Sequence, residues 1–230
     1  MGRIKLYDII NESIERDMFE GFDETELSED YPVGFDLEEF KNIRSYAAKL
    51  RYAEEYLGKP LGRGTSRVVY RVDKDKVLKL AKNEKGIAQN NAETDWYNTS
   101  YYESILAKVI DFDDKDGLWV EMELAYKVKE SDFERLWGLD FGAIGRYLSN
   151  RDNENNGRRP IYGYATAEEK FELDKSDEVM NLVSFMFDSS SSPGDLGKLN
   201  SWGIVHRPDG EEIVLIDFGL TNSVYQSYYS

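Results

Sequence analysis

The sequence contains no cysteine and one histidine, His206. Without cysteine the chain can form no disulfide framework and can carry no thiolate chemistry. One histidine excludes a metal site built from several imidazole ligands, and we predict that His206 lies in a surface loop beside the turn at 208–210. Because disulfides persist in oxidising compartments, their absence favours a cytoplasmic protein.

Long apolar stretches are also missing. No segment approaches the roughly 20 apolar residues that a helix needs to cross a bilayer. Residues 1–6 lack the apolar core of a signal peptide, and Leu6 stands where a myristoylation signal has Ser or Thr. We therefore expect no membrane among the partners.

Basic residues are scarce relative to acidic ones. The chain has 45 Asp and Glu residues against 29 Lys and Arg, which gives a formal net charge of −16. Nucleic acids and anionic membranes are bound by basic surfaces, so no nucleic acid is predicted as a partner. The acidic surface is explained either by solubility alone or by an unknown protein partner that it binds. Apolar residues make up 40% of the chain, which is enough for a packed core.

The most informative segment ends in an Asp-Phe-Gly motif. Asp195 and Asn200 have the spacing Asp-x-x-x-x-Asn, and a turn and an apolar strand then lead into Asp217. Phosphoryl transfer uses such a set, with one carboxylate beside the attacking oxygen and an Asn and an Asp on magnesium. Taken alone, the first spacing also arises by chance in so Asp-rich a chain.

Two upstream segments add to this pattern. The turn Leu-Gly-Arg-Gly at 61–64 lacks side chains at two positions, so its backbone N–H groups can approach phosphate oxygens. Lys79 follows on a predicted strand, where it alternates with Leu78 and Leu80. Singly, these features are an ordinary hairpin turn and a solvated lysine. Their order along the chain favours a phosphotransferase.

Residues 1–57 precede the chemistry and are predicted to form an N-terminal helical extension. Residues 3–18 and 36–57 each carry apolar residues at helical spacing, and an acidic linker separates them. The pattern from Asp36 to Glu39 is that of a capping box at the start of the second helix. We expect the extension to brace the sheet that follows or to dock a partner, without taking part in the reaction.

The remaining pattern predicts an α+β fold. Residues 58–125 read as a small lobe with strands at 67–72, 76–80, 108–112 and 118–124 and a helix at 87–97. Residues 126–230 read as mostly helical, with capping-box patterns at Ser131 and Thr166. A helical apolar face, formed by Val179, Leu182, Val183, Met186 and Phe187, precedes Asp195.

The segment from about Leu61 to Leu220 resembles the protein-kinase-like superfamily, which includes protein kinases, aminoglycoside and choline phosphotransferases, and small phage-encoded kinases. The resemblance implies a bilobal fold, with an antiparallel-sheet N-lobe and a reduced helical C-lobe, and it implies ATP and Mg²⁺ as cofactors. Protein kinases have an activation segment and an Ala-Pro-Glu motif after the Asp-Phe-Gly motif, where this sequence has neither. The short C-lobe is similar to that of phage kinases, so we expect a viral protein of the host cytoplasm.

The resemblance assigns roles in nucleotide binding. Gly62 and Gly64 match the first two glycines of the loop over the phosphates, whereas Arg67 replaces the third. Val69 matches the valine that packs on adenine, and Lys79 matches the lysine on the α- and β-phosphates. The strand end and hinge that hold adenine through backbone groups correspond to Met122 as gatekeeper, Glu123 and Ala125.

Glu93 matches the helix glutamate that pairs with Lys79 and aims it. Glu84 and Glu103 are the alternatives, and the predicted helix around Glu93 is what favours that residue. We expect Lys79 to converge with the residues of the Asp-Phe-Gly segment on one cleft, with the glycine-rich turn as its lid.

The catalytic roles fall on three residues. The resemblance makes Asp195 the base or orienter for the attacking hydroxyl, and Asn200 and Asp217 the magnesium ligands. Protein kinases have His-Arg before this aspartate, and small-molecule phosphotransferases have His-Gly, whereas this chain has Pro193 and Gly194. The missing histidine is a packing residue and not a reacting one.

We therefore expect an ATP- and Mg²⁺-dependent kinase that transfers the γ-phosphoryl group to a hydroxyl, with a protein Ser, Thr or Tyr as the favoured acceptor. The complete set of metal and phosphate ligands favours an enzyme. The missing histidine, third glycine and activation segment favour a pseudokinase, which would act as a nucleotide-binding or structural interaction module. A third alternative keeps the ATP site but transfers AMP or acts on a small molecule.

Overall fold

The computed structural model describes residues 31–99, 101–163 and 166–228. The predicted helix at 3–18 and the acidic linker after it lie outside the described residues. The described part combines helices with two antiparallel sheets, so the α+β class is confirmed. It divides into two compact units: one extends to Asn90 and includes Ile110–Leu124, and the other consists of Asn91–Val109 and the residues from Ala125 onward.

The first unit contains the N-terminal helices and a five-stranded antiparallel sheet with strand order β1-β2-β3-β5-β4. A helix lies between β3 and β4, as predicted, and it runs from the first unit into the second. The elements are α1 (Leu37–Asn42), α2 (Tyr46–Leu57), β1 (Gly62–Arg63), β2 (Arg67–Arg71), β3 (Lys76–Ala81), α3 (Glu84–Asn98), β4 (Val109–Phe112) and β5 (Trp119–Glu123).

The second unit contains a three-stranded antiparallel sheet with strand order β6-β7-β8 and most of the helices. None of the helices in the described ranges combines the length and the apolar character that crossing a membrane requires. The elements are β6 (Tyr126–Lys127), α4 (Glu130–Trp137), α5 (Phe141–Asn155), α6 (Ala167–Lys175), α7 (Asp177–Ser189), α8 (Pro193–Leu196), a 3₁₀ turn (Leu199–Ser201), β7 (Trp202–Arg207), β8 (Gly210–Leu215) and α9 (Asn222–Tyr228).

An aromatic cluster from the N-terminal segment covers one face of the five-stranded sheet. Phe40 of α1 is fully buried, and its ring centroid lies 5.6 Å from that of Phe35 and 6.1 Å from that of Trp119. The strand residues in the same cluster alternate along β2 and β3, as the sequence predicts for a half-covered sheet: Val68, Tyr70, Leu78 and Leu80. The expected bracing of the sheet by this segment is therefore present as direct packing.

The predicted single helix at 36–57 is wrong, because α1 and α2 are separate helices. Asp36 caps α1 by accepting a hydrogen bond from the Glu39 N–H over 2.9 Å, as its pattern predicts. The backbone turns extended at Ile43, and Ser45 caps α2. The buried Lys49 ammonium then donates to two carbonyls at the end of α1, over 2.6 and 3.2 Å. Burial lowers the pKa of Lys49.

The helix starts of the second unit follow one prediction and correct another. Thr166 caps α6 by accepting from the Glu169 N–H over 3.0 Å, as predicted. The predicted cap at Ser131 is wrong, because α4 begins one residue earlier and its third residue, Asp132, accepts from the Lys129 N–H over 2.8 Å. A strong acceptor at the third helical position thus fixes the helix start.

Two further expectations concern α7 and the β7–β8 turn. The buried face of α7 is confirmed for Val179, Leu182, Val183 and Met186, whereas Phe187 is only partly buried. His206 is exposed, as predicted, but it lies on β7 and not in a loop, because β7 and β8 stay paired as far as the turn at 208–209.

We predict that Phe40→Ala lowers the free energy of unfolding by about 3–5 kcal/mol, because it leaves a cavity beneath the sheet. Chemical denaturation of the full chain measures this loss. The control is Val33→Ala, since Val33 is fully exposed and should change stability by less than about 0.5 kcal/mol. Equal midpoints for Phe40→Ala and the wild type would show that the N-terminal segment does not brace the sheet.

Candidate active site

The predicted nucleotide-binding residues of the first unit lie on one face of its sheet. The register pairs Val69 of β2 with Lys79 of β3, and Lys79 with Val120 of β5. Residues directly opposite each other in antiparallel strands project to the same face, so Lys79 stands between two valines. Gly62 pairs with Val69, which brings the glycine-rich turn to the same row. This face is the one opposite the N-terminal aromatic cluster.

A second row on this face contains Met122, the predicted gatekeeper. Met122 pairs with Val77 and is 1% exposed, while Lys79 is 7% exposed. Val77 and Val120 were not predicted as site residues, because the alternation along a strand does not reveal which residue of the next strand lies opposite. By the same alternation, Arg67 and Arg71 of β2 also belong to this face, so it combines apolar side chains, suited to a flat ring, with three basic residues.

The predicted hinge, from Glu123 to Ala125, begins at the last residue of β5. Glu123 ends β5, and the Leu124 N–H donates to the Asp75 carbonyl over 2.6 Å. Ala125 belongs to the second unit, where it packs against Gly203 of β7: a Cβ on that glycine would lie 2.6 Å from the Ala125 methyl. The chain therefore leaves the first sheet at the predicted point. The backbone contacts to adenine stay a prediction.

The glycine-rich turn is a tight hairpin between β1 and β2. The Gly64 N–H donates to the Arg67 carbonyl over 2.9 Å, and the Lys82 ammonium donates to the Gly64 carbonyl over 2.9 Å. A Cβ on Gly64 would meet nothing closer than 3.7 Å, so packing does not demand this glycine. Arg67, in place of the third glycine, is buried, and its guanidinium donates to the Asn90 side chain over 3.4 Å.

Gly86 in the first turn of α3 permits the closest approach in this region. A Cβ there would lie 2.3 Å from the Ser66 carbonyl oxygen and 2.9 Å from the Ala81 Cα. Packing therefore does require this glycine, which lets α3 approach both the hairpin and the end of β3. Sequence reasoning missed Gly86, since a helical glycine gives no local sign of what lies beside it.

Glu93 is the only buried residue of the three carboxylates considered as partners of Lys79. It is fully buried, on the part of α3 that belongs to the second unit, whereas Glu84 and Glu103 are exposed. Buried carboxylates persist where they are paired, so burial favours Glu93 among the three. Its pairing with Lys79, which belongs to the first unit, stays a prediction.

The two predicted magnesium ligands lie at the same end of the β7–β8 ribbon. Beyond the last paired residues of the strands, the Ile216 N–H donates to the Ser201 carbonyl over 2.8 Å. Asn200 and Asp217 each lie one residue beyond this bond, Asn200 in the 3₁₀ turn and Asp217 after β8, and both are exposed. We call this pair the ribbon end. An amide oxygen and a carboxylate are ligand types that Mg²⁺ accepts.

The edge of β8 that faces away from β7 is also hydrogen-bonded, at Leu215. The Leu215 N–H donates to the Ile105 carbonyl over 2.7 Å, and the Ala107 N–H donates to the Leu215 carbonyl over 2.9 Å. Both backbone groups of Leu215 thus bond to this segment, while Leu215 lies opposite Trp202 of β7 on its other side. The direction in which the chain leaves the strand is fixed by these bonds.

Phe218, the residue after Asp217, is anchored by its buried ring. Its ring is 2% exposed and lies edge-on to Phe185 of α7, with centroids 6.4 Å apart. Phe185 in turn packs edge-on against Trp96, at 5.7 Å. Burial of Phe218 in this aromatic cluster fixes the backbone beside Asp217 while the Asp217 side chain stays exposed.

The loop that carries Asp195 is folded back on the start of β7. The Ser201 hydroxyl donates to the Asp195 carbonyl over 2.9 Å, and the Trp202 indole N–H donates to the Leu196 carbonyl over 2.8 Å. The Lys198 ammonium lies 2.6 Å from the Asp195 carboxylate, as an exposed pair. These bonds hold Asp195 near the ribbon end within one loop. Trp202 and Ser201 were missed by sequence reasoning, since they act through tertiary bonds.

Asp195 also lines a cleft of about 610 Å³ in the second unit. The ends of α5 and α7, the start of α8, and residues 220–226 enclose it. The volume falls in the range of about 300–1,000 Å³ that is typical of small-molecule sites.

The donor set fits Mg²⁺ bound together with phosphate. In the described part of the chain, no three Asp, Glu or His side chains come together as a metal site. Asn200 and Asp217 thus offer two oxygen ligands and not a complete protein cage. Mg²⁺ characteristically binds through one or two side chains, with waters and substrate phosphates completing its coordination.

No known protein family matches the chain, and no curated protein matches it significantly. What the protein does must therefore be inferred from its own residues and their geometry.

We predict that Gly86→Ala lowers the free energy of unfolding by about 1–3 kcal/mol, because the added methyl overlaps backbone atoms. The matched control is Gly64→Ala, whose methyl would make only an ordinary contact of 3.7 Å with the Arg67 carbonyl oxygen, and which should stay within about 1 kcal/mol of the wild type. Thermal and chemical denaturation of both variants test the difference. Equal losses would show that α3 does not approach the hairpin as closely as described.

Proposed function

We propose that the protein is a kinase that uses Mg²⁺ and ATP, and that its two units are the N-lobe and the reduced C-lobe of a protein-kinase-like fold. The ribbon end supports this proposal, because Asn200 and Asp217 flank one hydrogen bond there and Asp195 lies in the adjoining loop. The five-stranded antiparallel sheet, with α3 between β3 and β4, supports the assignment of the first lobe.

The first unit would bind the nucleotide. Val69, Val77 and Met122 give adenine an apolar surface, and the backbone of the hinge gives it hydrogen-bond partners. Lys79, held between Val69 and Val120, supplies positive charge for the phosphates. The open space beside Gly64 lets backbone approach phosphate oxygens.

The second unit would carry the reaction. Asn200 and Asp217 hold the metal through oxygen atoms, and Mg²⁺ when bound offsets the negative charge of the phosphates. Asp195 orients the acceptor hydroxyl and takes its proton as the new bond forms. The exposed Lys198 balances the charge of Asp195, and such a surface pair contributes at most about 1 kcal/mol to stability.

The pseudokinase is the second candidate, and the hairpin favours it. Arg67 replaces the third glycine, and its bond to Asn90 ties the hairpin to α3. A tied hairpin moves less freely over phosphates than a glycine-rich one. A pseudokinase of this kind would bind nucleotide weakly or not at all.

We predict that Asp217→Asn weakens Mg²⁺-ATP binding by about 10- to 100-fold, because a charge-assisted interaction is worth about 1.5–3 kcal/mol. Adenosine, which has no phosphate, should bind as before. Calorimetric titration with both ligands measures this split. The control is Asp209→Asn, the same change in the exposed turn at the other end of the ribbon, which should leave both affinities intact.

Equal losses for adenosine and ATP would make Asp217 a folding residue and refute the metal role. If no nucleotide raises the melting temperature of the wild type, the pseudokinase without a nucleotide site is favoured. A bound nucleotide at about 100 times its Kd should raise stability by roughly 2.7 kcal/mol.

A further inference from the structure

The cleft beside Asp195 has a lining that selects its ligand by charge. Asp152 and Asp195 are the only charged side chains among the residues that line it. Other lining residues are amides and hydroxyls, such as Asn155, Ser190 and Gln226. Asp195 pairs with Lys198, but no cationic side chain is among the lining residues, so the cleft offers an anion no ion-pair partner of its own. The amides and hydroxyls of the lining can exchange hydrogen bonds with hydroxyl groups.

Ser190 is an unusual residue in this lining. Its φ of 53° and ψ of 34° place it in the left-handed region, and it is the one non-glycine residue of the described part with positive φ. It ends α7 with its N–H bonded to the Phe187 carbonyl and the Ser191 N–H bonded to the Met186 carbonyl. Glycine is the usual residue at such a helix end, because a side chain costs backbone free energy there.

The hydroxyl of Ser190 is not used by the fold. Ser189 donates to the Phe185 carbonyl over 2.6 Å and bonds to Ser191 over 2.7 Å, and Ser192 accepts from the Gly194 N–H over 3.1 Å. Ser190 is exposed on the cleft, and within the described ranges its hydroxyl makes no hydrogen bond. A strained residue that offers an unused hydroxyl beside Asp195 points to a ligand contact.

We infer that this cleft is the acceptor site, that it takes a small polyhydroxyl compound without negative charge, and that Ser190 binds one of its hydroxyl groups. The inference rests on the proposed function, and it replaces the protein acceptor expected from the sequence. A cleft of about 610 Å³ is large enough for a molecule of sugar size.

The transfer balances with ATP as the phosphoryl donor. One acceptor oxygen forms a bond to the γ-phosphorus, and the bond from that phosphorus to the β–γ bridging oxygen breaks. The acceptor proton moves to the Asp195 carboxylate, and ADP leaves with the bridging oxygen. The products are ADP and a phosphate monoester of the acceptor.

The test compares acceptors of different charge. The full chain is incubated with γ-labelled ATP, Mg²⁺ and, in separate reactions, neutral sugars and polyols, amino sugars, sugar phosphates, and peptides that contain Ser, Thr and Tyr. Labelled neutral or amino compounds, with little labelling of sugar phosphates, support the inference. Labelling of peptides alone, or release of phosphate to water alone, overturns it while leaving the proposed kinase intact. No nucleotide binding at all overturns both.

Two variants of Ser190 then test the contact on the accepted compound. Ser190→Gly and Ser190→Ala should each raise the acceptor KM about 3- to 10-fold, the effect of one lost hydrogen bond, while the KM for ATP stays unchanged. Ser190→Gly should also melt at a higher temperature than Ser190→Ala, since glycine relieves the left-handed backbone. An unchanged acceptor KM in both variants overturns the role of Ser190. A rise in Ser190→Gly alone also overturns it, because the effect would then come from the backbone.

Discussion

The hydrogen bond from the Ile216 N–H to the Ser201 carbonyl is the interaction on which the candidate site depends. It continues the β7–β8 pairing by one step beyond the strands, and Asn200 and Asp217 each adjoin one of the two bonded residues. Two residues far apart in sequence thus share one end of a ribbon. The bonds of Leu215 on the other edge and the buried ring of Phe218 hold the chain on either side of this step.

The two faces of the five-stranded sheet have different roles: one packs in the core, and the other carries the predicted nucleotide-binding residues. One face is closed by the aromatic cluster around Phe40, and that closure leaves the opposite face to Lys79 and its valine neighbours. Because side chains alternate along a strand, the residues that stabilise the sheet and those that would bind nucleotide come from the same short segments. The N-terminal segment therefore stabilises the sheet by packing on one face only.

Local patterns account for what the sequence predicts correctly. The cap at Asp36, the cap at Thr166 and the alternation around Lys79 depend on neighbours within four residues, which a sequence displays directly. The break between α1 and α2 depends instead on Lys49 reaching back to carbonyls of the preceding helix. The cap at Ser131 fails because a better acceptor stands one position later.

Most of the residues that sequence reasoning missed join the candidate site through contacts between segments that are distant in sequence. Val77 and Val120 join it through strand register, and Gly86 permits a helix to approach a hairpin. The cleft beside Asp195 is lined from three separate segments, and Ser190 looks like any other member of a serine run until its backbone angles are known. Asp195, Asn200 and Asp217 could be predicted from sequence as candidates because a motif of fixed spacing carries them, and their roles stay a prediction.

Paramagnetic broadening by Mn²⁺, used in place of Mg²⁺ with ATP, tests the ribbon end most directly. Amide resonances of the ¹⁵N-labelled chain report how close each residue lies to the metal. The account predicts that the resonances of Asn200, Asp217 and the Trp202 indole broaden first, while that of His206 stays sharp. His206 is the fifth residue of the six-residue strand β7, and a strand extends by about 3.3 Å per residue, so β7 carries His206 away from the ribbon end. Broadening spread evenly over exposed carboxylates, with the ribbon end unaffected, would contradict the account.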